Sequence, residues 1–435
     1  MDATDAADTA SAAEMGAGTP QSLPSFLHPY LVNAVVTGKT TALHLAAEAG
    51  DEQCVRWLLQ EGASCRVFDR VARPSASGGG GATEVSGDTP LLTACRAEQL
   101  ACARLILGHA EGRETLDWKS RSREKDTALT VSVLKKNVDL VRVCLEAGAD
   151  PNLRTLMGTT ALYLACTGGS VECTRLCLQH GGLATTRCDE CFDEDGRSCR
   201  WTPLHIAAWN GHAGCVRACA EAGASLEGRL WGTDEDEDED DDEEEAERST
   251  PLALAVRHWE LETVKELCFG GARRYPRDVA LEEANRQVDA GSAEDDEEWN
   301  APAIRDWLQR TRGFATPLCY VEYLSAERVR DMLRRSRCGR GALIRWRDHA
   351  DEQSVCAVQC ARRLTSSLPA VALVLRAAEP WSSRTHDVWS DATHALVWPI
   401  LCIGYALANE RCQGSVHAFV DAWRDIVMPQ LFARV

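Results

Sequence analysis

Apolar residues along this chain recur at helical spacing in short paired segments. In residues 202–224, TPLHIAAWNGHAGCVRACAEAGA, Thr202 and the proline after it are typical of a helix start. The hydroxyl of threonine accepts a capping hydrogen bond, and proline has its φ already set for a first turn. Gly211 indicates a left-handed end to that helix, and a second apolar set around Val216 predicts another helix that ends at Gly223. The pattern therefore predicts a helix–turn–helix hairpin.

The same pattern begins at several other threonines, although at uneven intervals. Threonine starts a similar segment at Thr41, Thr89, Thr127, Thr160, Thr202, Thr250 and Thr316. The shortest step, from Thr127 to Thr160, is 33 residues, and the longest, from Thr250 to Thr316, is 66 residues. The extra residues follow the end of one hairpin and precede the next threonine. Since the cost of closing a loop grows only slowly with its length, insertions are tolerated at such places.

The repeated phrase, which is TPLHIA at Thr202, resembles the signature of the ankyrin repeat. The resemblance covers about residues 40–272. It implies an all-α solenoid of helix-turn-helix units with elongated finger loops, degenerate repeats towards the C-terminus and a helical cap. It also implies that His44 and His205 tie turn backbone between neighbouring repeats instead of taking part in catalysis. Each helix pair is expected to bury its apolar face only against its neighbours.

The organisation of the chain follows from these segments and from changes in composition. The predicted parts are a disordered N-terminal tail at 1–24, about six ankyrin repeats at 25–272 with an acidic loop insertion at 227–248, a degenerate repeat at 273–315, and a degenerate ankyrin-like and helical region at 316–435 with capping helices at 395–408 and 416–428. Residues 376–389, RAAEPWSSRTHDVW, faintly resemble tails of ankyrin proteins in unicellular algae.

Charge and hydropathy exclude some classes of function. The formal net charge of the 435 residues is −19, and 13 of the 14 residues at 234–247 are acidic. This balance argues against general nucleic-acid binding, which depends on Lys and Arg against phosphates. No signal peptide pattern opens the sequence, and the longest apolar run, 395–408, is too short to span a bilayer. We therefore expect no membrane association and a cytoplasmic or nuclear protein.

The twenty cysteines are scattered, and most of them fall within apolar helical patterns as expected for buried free thiols. Cys188, Cys191 and Cys199, with His180 upstream, have the ligand types of a zinc site in an inserted finger. Only one Cys-x2-Cys pair is present, so ordinary loop thiols are the favoured alternative. The glycine run at 78–81 lacks the Lys-Ser/Thr of a phosphate-binding loop, and no catalytic set has supporting context. The sequence thus predicts neither an enzyme nor a bound cofactor.

Two classes of function remain. The first is a non-catalytic scaffold that binds a protein partner through the concave face and the finger loops. The alternative is a substrate adaptor that recruits a ubiquitin ligase through the C-terminal helical region. Such an adaptor should carry an F-box or SOCS-box, to which the segments SLPSFLHPYL and VMPQLF are poor fits.

The side chains expected on the exposed side of the first helices are the candidates for partner binding. They are Glu48, Arg96, Lys135, Trp209, His258 and Tyr323. Trp209 is the most notable, because an apolar indole is unexpected on a solvated face and tryptophan contributes strongly to interfaces. The open alternative is that Trp209 covers its own finger or that of its neighbour.

Opposite charges on two segments suggest a further contact. The acidic run 234–247 cannot fold alone, because its charges repel and it has nothing apolar to bury. Residues 328–347 hold eight arginines and one acid, Asp331. We expect either a solvated spacer or a weak, salt-sensitive clasp between the two segments.

Overall fold

The computed structural model describes residues 33, 40–69, 72–74, 83–85, 87–121, 124–188, 191–192, 198–199, 201–228, 249–274, 278–289, 300–312, 314, 316–335, 361 and 368–377. The chain divides into two compact units, residues 1–156 and 157–435. The predicted tail at 1–24, the acidic run 234–247 and the capping helices at 395–408 and 416–428 lie outside the described residues.

The first unit contains three pairs of antiparallel helices among its described residues. The pairs are α1 (Ala42–Ala49) with α2 (Glu52–Gln60), α3 (Pro90–Arg96) with α4 (Leu100–Gly108), and α6 (Ala128–Leu134) with α7 (Val138–Glu146); a short helix α5 (Ala110–Glu114) follows α4. The first helices pack side by side in the order α1, α3, α6, as stacked repeats require.

The second unit continues the pattern in its described part. Its pairs are α8 (Ala161–Thr167) with α9 (Val171–Gln179), α10 (Pro203–Trp209) with α11 (Ala213–Glu221), α12 (Pro251–Arg257) with α13 (Leu261–Gly270), and α14 (Val279–Asp289) with α15 (Ala301–Arg310). A 3₁₀ segment (Pro317–Tyr323), α16 (Ala326–Arg335) and α17 (Pro369–Ala377) follow. The pair α14–α15 lies in the region predicted as a degenerate repeat.

Threonine begins the first helix of each of the six repeats between 40 and 272. The hydroxyls of Thr89, Thr127, Thr160, Thr202 and Thr250 each accept a hydrogen bond from the backbone N–H three residues later. Capping satisfies a donor that the helix itself cannot pair. The second residue after the threonine is a leucine in all six repeats, and it is buried in each case: Leu43, Leu91, Leu129, Leu162, Leu204 and Leu252.

A three-residue turn with one left-handed residue joins the helices of most pairs. Glycine adopts the positive φ at Gly50, Gly169 and Gly211. At the other three turns the left-handed residue is Glu98, Lys136 or Trp259, the last with φ 61°. Glycine adopts this conformation without steric penalty, whereas a bulky residue is strained in it. The turn therefore requires one left-handed residue, which is glycine in three repeats and a residue with a side chain in the other three.

Two histidines link consecutive repeats as the resemblance implies. Nε2 of His44 donates to the backbone oxygen of Asp88 at 3.0 Å, next to the threonine that begins α3. Nε2 of His205 donates to the oxygen of Gly228 at 3.0 Å, where the acidic insertion begins. Nδ1 of each ring lies within 2.8 Å of the capping threonine hydroxyl. Both imidazoles therefore serve the fold.

Two of the inserted fingers contain short antiparallel hairpins, which the helical patterns did not predict. Strand β1 (Ala72–Pro74) pairs with β2 (Thr83–Val85), and β3 (Cys191–Phe192) pairs with β4 (Ser198–Cys199). Strands of two or three residues are too short to show the alternation of apolar and polar positions by which strands are recognised. The hairpins are additions to the predicted all-α solenoid and do not alter its helix order.

A buried arginine ties together the last described part of the second unit. Arg274, after α13, has a side chain only 5% exposed and pairs with Asp278 at 2.7 Å. Its guanidinium also donates to Thr311 Oγ1 at 2.7 Å, to the oxygen of Leu308 at 2.6 Å and to Tyr320 Oη at 3.3 Å. A buried charge requires such pairing. The network holds α14, α15 and the 3₁₀ segment to the preceding repeat.

Burial of His205 predicts a pH dependence of stability. Desolvation lowers the pKa of this imidazole from 6.5 to about 4. Below pH 6.5 the unfolded chain binds a proton at His205, whereas the folded chain does not bind it until about pH 4. The free energy of unfolding should therefore fall as the pH drops from 6.5 to 4, by about 3 kcal/mol from this group.

Urea denaturation between these pH values, followed by tryptophan fluorescence, measures the effect. His205→Gln should remove this part of the pH dependence, and His180→Gln, at an exposed histidine, should leave it unchanged. Equal pH profiles for His205→Gln and the unmodified chain would contradict the assignment.

Candidate functional site

The first helices of the first unit expose equivalent positions on one face. In α1 the side chains of Leu43, Ala46 and Ala47 are buried, whereas Leu45 and Glu48 are exposed. Glu48 is the seventh residue after the capping threonine, and Arg96 and Leu134 occupy the same position in α3 and α6. Helices that pack side by side in one register present equivalent positions on one surface. We call Leu45, Glu48, Arg96, Leu134 and Lys135 the first-helix face.

Two leucines on this face expose a large part of their apolar side chains to solvent. Leu45 is 38% exposed and Leu134 is 52% exposed, and Glu48 and Lys135 beside them are also exposed. Sequence reasoning named the charged residues and missed the leucines. The signal was present for Leu134, which takes the same seventh position after the threonine as the predicted candidate Glu48. It was absent for Leu45, because the fourth position after the threonine is buried in α3 and α6.

Arg96 lies on this face but is held by two carboxylates. Its guanidinium pairs with Asp88 at 2.7 Å and with Asp126 at 3.3 Å, and its side chain is 26% exposed. Both acids are buried just before a capping threonine. Burial raises the pKa of Asp126 to about 6, while the charge of Arg96 opposes that rise. Arg96 therefore stabilises the bases of two neighbouring fingers, which leaves it less available to a partner.

Two candidates of the second unit, Trp209 and His258, pack against each other. The rings of Trp209 and His258 lie 3.7 Å apart between centroids, and those of Trp209 and Trp201 lie 5.0 Å apart in a T-shaped arrangement. Trp209 is partly buried against a cluster formed by Tyr163, Cys188, Trp201 and Leu254. The indole thus connects α10 to α12 and to the base of the preceding finger. This geometry favours the alternative in which Trp209 covers neighbouring elements.

Tyr323 lies at the end of the 3₁₀ segment and is 43% exposed. Its ring contacts Trp307 edge-to-face, with 6.3 Å between centroids. Tyr320, three residues earlier, stacks on the same indole and contacts Phe269 and Phe314. Tyr323 is the exposed edge of a buried aromatic cluster.

Two family models match the repeats that this geometry describes. The model described as an ankyrin repeat matches residues 39–70, and the model described as ankyrin repeats in three copies matches residues 129–229. The chain contains ankyrin repeats.

Relatives share the repeats over part of their length. The human protein "Ankyrin repeat and SOCS box protein 16" is 34% identical over 192 residues, which are 44% of this chain and 38% of that protein. Human "NF-kappa-B inhibitor epsilon" is 36% identical over 115 residues, which are 25% of this chain and 20% of that protein. The chain thus spans less than two fifths of either relative.

A solved ankyrin structure is similar as well. The ankyrin repeat domain of human ASB11 is 20% identical and has a TM-score of 0.41, and the match covers 61% of this chain and 98% of that domain.

The zinc hypothesis for the finger before α10 remains untested. Pairing of β3 with β4 places the backbone of Cys191 opposite that of Cys199, and Cys188 is buried at the base of the hairpin. Within the part of the chain that the structure describes, no three His, Cys, Asp or Glu side chains form a group able to hold a metal ion. The side chains of Cys191 and Cys199 are outside that part, so the three-thiol site stays a prediction.

No helix in the described ranges is both long and apolar enough to cross a membrane. The ankyrin fold is typically a non-enzymatic interaction module, and no catalytic family is indicated for this chain.

The contacts of Trp209 predict a structural effect of its removal. Trp209→Ala would empty the space between α10, α12 and the finger, and should lower the free energy of unfolding by about 2 kcal/mol or more. Chemical denaturation measures this loss. Trp57→Ala is the matched control, because Trp57 is 42% exposed on α2 and its truncation leaves little cavity. An unchanged stability of Trp209→Ala would instead favour a free indole that serves partner binding.

Proposed function

We propose that this chain is a non-catalytic scaffold that binds a protein partner through the exposed side of its first helices and through its fingers. Ankyrin repeats imply protein–protein interaction. Leu45 and Leu134, which are both exposed on the first-helix face, support this face as the binding surface. An exposed apolar patch with a rim of polar side chains marks an interaction site.

The composition of the first-helix face suggests the kind of segment that it would accept. Two leucines supply apolar contact, and Glu48 and Lys135 supply one charge of each sign at exposed positions. A partner would bury the leucines and place opposite charges at the rim, where they set orientation more than affinity. Glu48, Lys135, Tyr323, His258, Arg96 and Trp209 all remain candidates, although the last three are more engaged within the fold.

One observation supports a second function, that of a substrate adaptor for a ubiquitin ligase. A SOCS box is part of the name of the relative that is 34% identical, and the match covers 44% of this chain. The adaptor would use residues 316–435, most of which lie outside the described residues. A cytoplasmic or nuclear location belongs to the same proposal, and microscopy of a tagged chain would test it.

The central prediction concerns the two exposed leucines. Leu45→Ser with Leu134→Ser should weaken binding of a captured partner by about tenfold or more, because both apolar contacts are lost. Affinity purification with mass spectrometry identifies the partner, and titration of that purified partner measures the change. Leu156→Ser, at an exposed leucine outside the first helices, is the matched control.

The folded state of each variant is checked by circular dichroism. Equal affinity of the double variant and the control would remove the first-helix face as the binding surface. Recovery of a cullin or its adaptor that is lost on truncation after Gly313 would favour the ubiquitin-ligase alternative.

The clasp between residues 234–247 and 328–347 also stays a prediction. In the described part of the basic segment, Arg328 already pairs with Glu266 at 2.6 Å and lies over the ring of Phe269. A clasp would therefore use the later arginines. Replacement of the 13 acids with Gly and Ser should increase proteolysis at 328–347 in low salt and have no effect in high salt. Equal proteolysis of both chains in low salt would leave the run as a spacer.

A further inference from the structure

Two buried thiols from consecutive repeats of the second unit are in contact. Sγ of Cys166 in α8 lies 3.7 Å from Sγ of Cys219 in α11. Both side chains are fully buried, and Thr174 Oγ1 lies within 3.9 Å of Sγ of Cys166 and of Sγ of a third buried cysteine, Cys215. The two residues are 53 positions apart in sequence, so the contact joins the first helix of one repeat to the second helix of the next.

The first unit contains an equivalent pair. Cys95 in α3 and Cys144 in α7 are both fully buried, at the positions that Cys166 and Cys219 occupy in the second unit. Cys95 and Cys166 are each the sixth residue after the capping threonine. Cys144 and Cys219 each lie four residues before the left-handed glycine that follows their helix.

In this chain, cysteine at the first of these positions is always accompanied by cysteine at the second. The sixth residue after the threonine is Ala47, Val133, Ala208 or Val256 in the other four repeats. Where that residue is cysteine, the corresponding residue of the next repeat's second helix is also cysteine. Cys177 occupies the second-helix position in α9, but Val133 is the corresponding residue of the preceding repeat. Cys177 therefore serves as a control, because no cysteine occupies the corresponding first-helix position.

We propose that Cys166 with Cys219, and Cys95 with Cys144, form disulfides that staple consecutive repeats when the protein meets a small-molecule disulfide such as oxidised glutathione. One cysteine thiolate attacks a sulfur of the small disulfide and releases one small thiol. The second cysteine thiolate then attacks the protein sulfur of this mixed disulfide and releases the other small thiol. The two protein thiols are oxidised, the small disulfide is reduced, and both protons leave with the released thiols.

The position of the thiols sets the rate and the effect of this reaction. Since both sulfurs of a pair are buried, the oxidant reaches them when neighbouring repeats open locally, which repeat arrays do more readily than they unfold as a whole. Once formed, the link closes a long loop and removes freedom from the unfolded chain. Oxidation thus converts a contact between repeats into a covalent restraint.

The full chain is incubated with excess oxidised glutathione, with and without sub-denaturing urea. Remaining thiols are then alkylated, and the chain is digested with trypsin without reduction. We expect the peptide 155–175 joined to 218–229, and the peptide 143–154 joined to the one that ends at Arg96. Urea should speed both links. The thermal midpoint should rise by about 5 °C and return when a reductant is added.

Cysteine-to-alanine variants test whether the disulfides form only within the two proposed pairs. Cys166→Ala should remove the first link alone and Cys95→Ala the second alone, whereas Cys177→Ala should remove neither. The comparison of reduced and oxidised unmodified chain needs no variant, so a variant that fails to fold does not affect it. The proposal would be overturned if no link formed between Cys166 and Cys219, or if Cys166 were joined to Cys215 instead. It would also be overturned if Cys177 formed cross-links as readily as the paired cysteines.

Discussion

The capping hydrogen bond of threonine sets the register of five of the six repeats between 40 and 272. The hydroxyls of Thr89, Thr127, Thr160, Thr202 and Thr250 fix the residue at which the first helix begins. Once that residue is fixed, the helical period places the leucine two positions later in the core and the seventh position on the open side. Leu134 is exposed and Leu129 is buried for this one reason. In these five repeats the buried leucine and the seventh position therefore depend on the same bond.

Much of this architecture could be predicted from local sequence. The caps, the buried leucines and the left-handed Gly211 each depend on residues a few positions apart, which a sequence shows directly. The role of Arg96 could not be predicted, because its partners Asp88 and Asp126 lie eight and thirty residues away and meet it only after neighbouring repeats stack. The contacts of Trp209 were unpredictable for the same reason, since they involve Trp201 in a finger base and His258 in the next repeat.

Buried polar groups mark where the array departs from a regular solenoid. Arg274 follows α13, at the point where the Thr-Pro-Leu phrase is missing from the next pair, and its guanidinium gathers Asp278, Thr311 and Tyr320. Hydrogen bonds from one charged side chain thus hold together elements that lack the usual repeat signature. An apolar interface can tolerate small changes of volume, but such a network loses several bonds when a single member is changed.

The turns inside the helix pairs and the fingers between them respond differently to insertion. Three residues join α6 to α7, α8 to α9 and α10 to α11, and one more residue there would rotate the second helix by about 100° out of register. A finger has no such constraint, and both hairpins lie in fingers. Insertions are therefore tolerated in the fingers, whereas the turns inside the helix pairs tolerate substitution but not added length.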